Sequence, residues 1–278
     1  MICLYKTFEL CPAGELSPYK TFECGQCFRW NALGEQDYLG VASGRAARVF
    51  LSGETACVEC GEDDIGFWRA YLDMDADYAA ARESVMRGAY LTDCAECGAG
   101  IRILRQDKWE ALCSFIISQC NNIPRIKSIV EKLCALFGEP FETPWGVKYS
   151  FPAAERVALL EEPELAPLRA GYRAAYIINA ARAVASGDMD LDAAAAMDGD
   201  AARRYLKGLS GVGDKVANCA VLFGLHRLDA FPVDVWIKRA LREHMPPGFD
   251  PKSLGEYAGL AQQYMFFAER EKSAGRWR

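Results

Sequence analysis

The sequence has 278 residues, 51% of them hydrophobic and 25% charged, which is enough to bury one large core or two to three small ones. No stretch approaches the roughly 20 uninterrupted apolar residues of a membrane span, and the first residues do not read as an export signal, so we expect neither a membrane protein nor an exported one. The net charge of −6 argues mildly against a nucleic-acid partner, but a local basic patch can decide contact. Basic residues do gather in two places, at Arg203, Arg204, Lys207 and Lys215 and at Lys238, Arg239 and Arg242.

Residues 1–64 are predicted to form an N-terminal β-domain. Three short segments, at 27–30, 38–41 and 47–51, are rich in aromatic and β-branched residues, and turns containing glycine separate them. This spacing favours an antiparallel sheet built from hairpins.

From residue 65 to residue 278 the apolar pattern becomes helical. The stretch 108–118 is apolar around most of its circumference, which predicts a buried central helix. Another helix is predicted over 125–137, ending at Gly138. Further helices are predicted over 153–160, 165–186, 191–206 and 254–270. The fold class is therefore α+β: an N-terminal antiparallel sheet packed on a mainly α-helical body.

Cysteines offer a possible metal site. Three pairs have the CxxC spacing: Cys24/Cys27, Cys57/Cys60 and Cys94/Cys97. Two such pairs can supply a tetrahedral zinc site, but the second and third are 37 residues apart with a predicted helix between them. Structural zinc and scattered small hydrophobic side chains both stay open as interpretations, and the second is favoured. We predict neither a metal nor a cofactor.

Two helices joined by a glycine turn are predicted over about 199–225. The turn is Gly211-Val212-Gly213, and glycine permits backbone angles that other side chains oppose. Glycines also expose backbone amides at the start of the next helix, where an anion such as a DNA phosphate can bind. The sequence therefore predicts a phosphate site at Gly211, Gly213 and the Val216 amide.

Lys215 lies in the first turn of the second helix of this pair. A lysine must lose its proton to act as a nucleophile, and both desolvation by the apolar helix and the positive end of the helix dipole would lower its pKa. Asp234 opens the next predicted helix, where an N-cap is the ordinary interpretation. A carboxylate there could also stabilise positive charge on a sugar ring whose base is leaving.

These residues carry a family resemblance. The stretches 209–219 and 231–234 are similar to the helix-hairpin-helix, the Gly/Pro-rich loop and the catalytic aspartate of the DNA base-excision glycosylase superfamily. The resemblance implies that Asp234 is catalytic. It also implies the bifunctional branch, in which an amine, here Lys215, attacks the anomeric carbon of the sugar and forms a Schiff base.

The resemblance narrows to the 8-oxoguanine DNA glycosylases. Residues 25–30 read GQCFRW, which resembles the GQxFRW segment of that family. It implies that the Gly25 carbonyl accepts the hydrogen on N7 that distinguishes 8-oxoguanine from guanine. The segment 258–266 resembles the family's base-pocket helix, which implies that Gln262 reads the Watson–Crick edge and Phe266 stacks on the base. Cys219 would cover the opposite face.

Residues 114–125 and 171–173 resemble the segments that fill the gap left by the flipped base. The resemblance implies that Asn121 and Arg125 face the estranged cytosine and that Tyr172 intercalates. Two residues depart from the pattern. Cys120 stands where a first asparagine of the loop is often found, and Trp236 stands where the eukaryotic branch has a histidine. The details of the wedge and of phosphate contact therefore depend on this chain's own residues.

We expect a bifunctional glycosylase/β-lyase that excises 8-oxoguanine opposite cytosine in duplex DNA, acting as a monomer in the cytoplasm at the nucleoid. Cys219 is the last cysteine, which argues against the superfamily's iron–sulfur branch, and the two histidines form no ligand-like pair. Two alternatives stay open. One is a glycosylase of the same fold for alkylated purines. The other is a non-catalytic hairpin module that binds DNA, or a scaffold held by zinc.

Overall fold

A computed structural model describes residues 4–277 and confirms the α+β class. The N-terminal sheet is antiparallel with five strands in the order β1-β5-β4-β3-β2. The strands are β1 Tyr5–Pro12, β2 Trp30–Gly34, β3 Asp37–Ala42, β4 Arg45–Ser52 and β5 Thr55–Gly61. The strand predicted over 27–30 was wrong, because β2 begins only at Trp30. The outer strand β1 and its neighbour β5 had not been predicted.

Trp30 organises the core of this sheet. Its indole is fully buried, stacks on Phe22 with ring centroids 3.9 Å apart, and donates a hydrogen bond to the Tyr71 hydroxyl at 3.1 Å. The opposing strand can approach the ring only because it has Gly40 there, where a Cβ atom would lie 2.2 Å from the indole. Trp68 and Leu104 join the same core, so the sheet packs with residues beyond 64. The boundary at residues 64 and 65 stays a prediction.

Thirteen α-helices form most of the remaining chain that the structure describes. They are α1 Pro18–Glu23, α2 Ile65–Tyr71, α3 Tyr78–Val85, α4 Ala89–Cys97, α5 Lys108–Ile117, α6 Ile123–Phe137, α7 Ala154–Ala158, α8 Arg173–Ser186, α9 Leu191–Ala196, α10 Gly199–Leu206, α11 Asp214–Cys219, α12 Val235–His244 and α13 Ala258–Ser273. Short 3₁₀ segments lie at Glu62–Asp64, Glu162–Leu168 and Pro251–Tyr257, and one turn of π-helix at Ala220–Gly224 follows α11 directly. Between α6 and α7, β6 Pro140–Phe141 and β7 Lys148–Tyr149 form a small hairpin.

The predicted central helix is α5, and its residues from Ala111 to Ile117 are all buried. Its N-terminal half packs on the π-helical turn, where a Cβ atom at Gly224 would lie 3.0 Å from the Ala111 side chain. Asp107 caps α5 by accepting the Glu110 amide at 2.8 Å. The loop that follows α5, residues 118–122, reaches the surface, where Cys120 and Asn122 are exposed.

Two long predicted helices are interrupted. The stretch 165–186 splits into a 3₁₀ segment containing Pro167 and then α8, with Arg169 left-handed between them. The stretch 191–206 splits at Met197, which has extended backbone. Gly138 ends α6 as predicted, but not through a left-handed backbone. Its φ is −85°, and a Cβ atom there would lie 2.0 Å from the Ser150 carbonyl oxygen. No helix within residues 4–277 is long and apolar enough to cross a membrane.

Candidate active site

The predicted hairpin consists of α10, a tight turn and α11. Gly211 has φ +82°, and a Cβ atom there would lie 2.3 Å from the ring of Tyr176, so both backbone and space require glycine. Gly213 differs. Its φ is −88° and nothing lies within 4 Å of an added Cβ atom, so the expectation that its backbone needs glycine was wrong.

This contrast gives a matched pair of variants. Gly211→Ala should lower the free energy of unfolding by about 2–5 kcal/mol, since a left-handed alanine costs about 1–2 kcal/mol and a ring that must move costs about 1–3 kcal/mol. The free energy of unfolding of Gly213→Ala should lie within about 0.5 kcal/mol of the wild-type value. Denaturant titration of both variants checks this, and equal stability of the two would contradict the structure.

The start of α11 offers the amides expected of a phosphate site. Ala217 N donates to Gly213 O at 2.9 Å, and the amides before it, including that of Val216, precede the first helical bond and are left for an outside acceptor. The Asp214 carboxylate at this end accepts Arg203 at 2.7 Å and Lys207 at 2.8 Å. The Asp214 carboxylate therefore neutralises part of the positive charge of this basic patch.

Lys215 projects from the first turn of α11 and is exposed. The expectation that the apolar helix desolvates Lys215 was therefore wrong for the protein alone. Lys215 and Asp234 both act electrostatically on the buried Cys219 thiol, which lies one turn after Lys215 on α11. Burial raises the pKa of Cys219 to about 12, Lys215 lowers it and Asp234 raises it. The Cys219 thiol is therefore buried and neutral.

Asp234 is the N-cap of α12, as its ordinary interpretation had it. Its Oδ1 accepts the amides of Trp236 and Ile237, each at 2.9 Å, and the residue is half-buried. Within the described chain, no hydrogen bond is made to Oδ2. Capping therefore fixes the orientation of the carboxylate and leaves one oxygen for another partner.

Gly25 and Phe266 meet although they are far apart in sequence. Gly25 has φ +77°, and a Cβ atom there would lie 3.3 Å from the Phe266 ring and 3.5 Å from the Ile123 side chain. The predicted carbonyl acceptor and the predicted stacking ring therefore line one place. Arg270 flanks the same ring, with its guanidinium carbon 5.5 Å from the ring centroid.

Gln262 lies one turn before Phe266 on α13. It is 4% exposed, and its buried Oε1 has no hydrogen-bond partner among the described residues. A buried amide oxygen without a partner is costly, and such atoms are uncommon in folded proteins. The Gln262 Oε1 acceptor is therefore left without a partner among the described residues.

Two residues that the sequence argument did not assign hold this pocket together. Gln26 is fully buried, donates to Thr21 O and Arg102 O at 2.9 and 2.8 Å, and accepts the Leu104 amide at 2.9 Å. It thereby anchors the loop that presents Gly25. Its place in the GQCFRW segment was the available signal.

Gly259 joins α13 to the region after the hairpin. Its amide donates to Leu228 O at 2.7 Å, and a Cβ atom there would lie 2.4 Å from the Leu222 side chain and 2.6 Å from Ala230 O. The helix that carries Gln262 and Phe266 thus lies against the segment that leads from Lys215 to Asp234.

The predicted wedge residues lie on two neighbouring segments. Asn121 is half-buried and donates to Ile117 O at 3.3 Å, whereas Arg125 is exposed and donates to Arg169 O at 3.2 Å. Tyr172 is 52% exposed at the start of α8. Arg173, which the sequence argument left without a role, links the segments by donating from Nε to Gln119 O at 2.8 Å.

The cysteine pairs do not assemble into a metal site in the chain that the structure describes. Cys57 and Cys60 lie on β5, whereas Cys94 and Cys97 lie on α4. No group of three or more His, Cys, Asp or Glu side chains within residues 4–277 is placed to hold a metal ion.

Two family models match consecutive parts of the chain. Residues 10–112 match the N-terminal domain of 8-oxoguanine DNA glycosylase, and residues 113–252 match the HhH-GPD superfamily base excision DNA repair protein. Their junction lies inside α5, in the part of the protein that packs on the hairpin.

Known proteins are similar to this chain over most of its length. The N-glycosylase/DNA lyase of Saccharomyces cerevisiae is 43% identical over 258 residues, covering 83% of this chain and 67% of its own. An Arabidopsis thaliana N-glycosylase/DNA lyase is 30% identical, covering 92% and 78%. The Clostridium acetobutylicum 8-oxoguanine glycosylase/lyase, solved with double-stranded DNA containing cytosine opposite 8-oxoguanine, superposes with a TM-score of 0.87 at 30% identity, covering 96% and 98%. The family resemblance read from the sequence is confirmed. The chain belongs to the HhH-GPD superfamily of base excision DNA repair proteins, within the 8-oxoguanine DNA glycosylase family.

Proposed function

We propose that this protein excises 8-oxoguanine from duplex DNA and then nicks the strand as a β-lyase, with Lys215 as nucleophile and Asp234 as electrostatic stabiliser. The observation that supports the proposal is that the helix carrying Gln262 and Phe266 packs, through Gly259, on the segment that leads from Lys215 to Asp234. The electrostatic effects of Lys215 and Asp234 on the same buried thiol, Cys219, also support their acting at one site.

The chemistry follows from these two groups. The neutral Lys215 amine attacks the anomeric carbon, the glycosidic bond breaks, and its electron pair leaves with the base, which takes up a proton. Loss of the ring oxygen from that carbon gives the Schiff base. A proton is then removed from the neighbouring sugar carbon and the 3′ phosphate leaves, which nicks the strand. The free oxygen of Asp234 stabilises the positive charge that develops on the sugar as the base departs.

Base selection falls to the pocket around Phe266. A base inside a duplex must be extruded before chemistry can occur, so the enzyme needs a pocket, a wedge and a backbone clamp. The Gly25 carbonyl accepts the N7 hydrogen that guanine lacks, Gln262 pairs with the Watson–Crick edge, and Phe266 and Cys219 cover the two faces. The contact between Gly25 and Phe266 and the unpaired Gln262 Oε1 support these roles.

The remaining roles concern the duplex. Gly211, Gly213 and the Val216 amide clamp a backbone phosphate, while Asn121, Arg125 and Tyr172 occupy the gap and face the estranged base. We infer cytosine as the preferred opposite base, because Arg125 can donate to its acceptor edge. The protein works as a monomer in the cytoplasm at the nucleoid.

A comparison of duplexes tests the function. The wild-type protein should release the base from an 8-oxoguanine duplex at least about 100-fold faster than from matched duplexes carrying guanine or 3-methyladenine, because only the first offers the N7 hydrogen to Gly25. Single-turnover base release and strand nicking measure this. Faster release of 3-methyladenine would favour an enzyme for alkylated purines, and binding without base release would favour a non-catalytic module.

A further inference from the structure

The loop between α5 and α6 ends in an exposed tip at Cys120. This residue has φ +47°, in the left-handed region that side chains other than glycine, asparagine and aspartate seldom adopt. It is the exposed one among the cysteines that the structure describes, since Cys11 and Cys97 are partly buried and the others are buried. Such a backbone persists where its surroundings hold it.

Arg173 holds this tip. Its guanidinium is buried and donates to Gln119 O, to Cys120 O at 3.3 Å and to Ala170 O at 3.1 Å. One side chain thus ties the loop tip to the start of α8. The tip is therefore tied to the segment that carries Tyr172, the residue beside Arg173.

Tyr172 stands next to Cys120 on this segment. The Cys120 thiol is close enough to raise the pKa of the Tyr172 phenol, after the larger effect of desolvation, and the Tyr172 ring packs edge-to-face on Tyr176 with centroids 5.7 Å apart. The Arg173 guanidinium lies 4.6 Å from the Tyr172 ring centroid. The Tyr172 ring is half exposed, and contacts on two sides fix its position. It can therefore insert into a duplex without first changing its place on the protein.

The asparagines of the loop are occupied elsewhere. Asn121 donates to Ile117 O at 3.3 Å and accepts the Asn122 amide at 3.2 Å, so its amide group closes the end of α5. Asn122 caps α6 by accepting the Arg125 amide at 3.0 Å. To contact an estranged base, Asn121 would first have to give up two bonds, whereas Cys120 is already at the tip.

We propose that Cys120 and Tyr172 together form the inserting tip of the wedge, and that Cys120 takes the place facing the estranged base that the family resemblance implied for Asn121, which instead braces the loop. This inference rests on the proposed function and specifies its opposite-base recognition. A thiol is a weak hydrogen-bonding group, so Cys120 contributes contact without reading the base edge. Discrimination of cytosine then depends on Arg125, and the enzyme accepts other opposite bases more readily than an asparagine at position 120 would allow.

Two substitutions distinguish Cys120 from Asn121. Cys120→Asn suits the left-handed backbone and adds a group that can pair with cytosine, so the ratio of excision opposite cytosine to excision opposite thymine should rise about ten-fold, the effect of one hydrogen bond. Asn121→Ala should slow excision by a similar factor opposite all four bases and leave that ratio unchanged. The assignment would be overturned if the ratio stayed unchanged in Cys120→Asn, or if the ratio fell ten-fold in Asn121→Ala.

Thiol protection locates the tip directly. N-ethylmaleimide should modify Cys120 in the free protein, and a duplex with an abasic-site analogue opposite cytosine should slow that modification at least about ten-fold, with mass spectrometry of the peptide as readout. Cys11→Ser, which changes a partly buried thiol on β1, is the matched control and should behave as wild type. If the wild type excises 8-oxoguanine but the duplex leaves Cys120 unprotected, the tip assignment fails while the function stands. If the wild type excises nothing, the function itself fails.

Discussion

Lys215→Gln is expected to abolish the covalent adduct that borohydride traps between the wild-type protein and an 8-oxoguanine duplex. Glutamine keeps much of the side-chain length but has no nucleophilic amine, so no Schiff base can form for the hydride to reduce. Base release in a single turnover should fall by at least about 10³-fold, as is typical when the group that forms the covalent intermediate is removed. Gel analysis of the trapped complex and of released base measures both effects.

Two further variants separate chemistry from charge. Lys215→Arg keeps a permanent positive charge at the same place but cannot act as a nucleophile, so it should bind the duplex like the wild type and form no adduct. Lys132→Gln removes an exposed lysine on α6 and should trap normally. A trapped adduct of normal yield with Lys215→Gln would assign the nucleophile to another amine.

The parts of the fold that sequence predicted are those determined by local pattern. An apolar circumference over 108–118 predicted α5, and a Pro124 start with a Gly138 end predicted α6, because capping and burial act within a few residues. The strand expected over 27–30 failed for the opposite reason. Phe28 lies before β2 and packs on Phe115 of α5, whereas Trp30 opens β2 and stacks on Phe22 of α1, so the aromatic run marks packing on two different elements and only its last residue belongs to the sheet.

The site divides in the same way. Lys215 and Asp234 could be chosen because a glycine turn and a helix start are local signals, and family motifs supplied Gly25, Gln262 and Phe266. What holds them together could not be read from the sequence. Arg173 donating to Gln119 O and Gly259 donating to Leu228 O are contacts between segments distant in sequence, and backbone acceptors leave no trace in residue type.

The catalytic and the capping roles of Asp234 can be separated experimentally, because asparagine keeps one and loses the other. An asparagine carbonyl accepts the Trp236 and Ile237 amides as Oδ1 now does, so Asp234→Asn should unfold within about 0.5 kcal/mol of the wild type. Asp234→Ala loses the cap and should be about 1 kcal/mol less stable. Both variants lose the negative charge near the sugar, so base release should fall about 10²–10³-fold in each.

The matched control is Asp190→Asn, because Asp190 caps α9 by accepting two amides, at 2.9 and 2.8 Å, away from the site. It should leave base release unchanged. Binding to the lesion duplex gives the decisive second readout. Removing a carboxylate near the DNA lowers repulsion of phosphates, so Asp234→Asn should bind at least as tightly as the wild type while it reacts slowly. Loss of activity in Asp234→Ala alone, with Asp234→Asn fully active, would mean that Asp234 acts only by holding the start of α12, and the charge would have no part in the reaction.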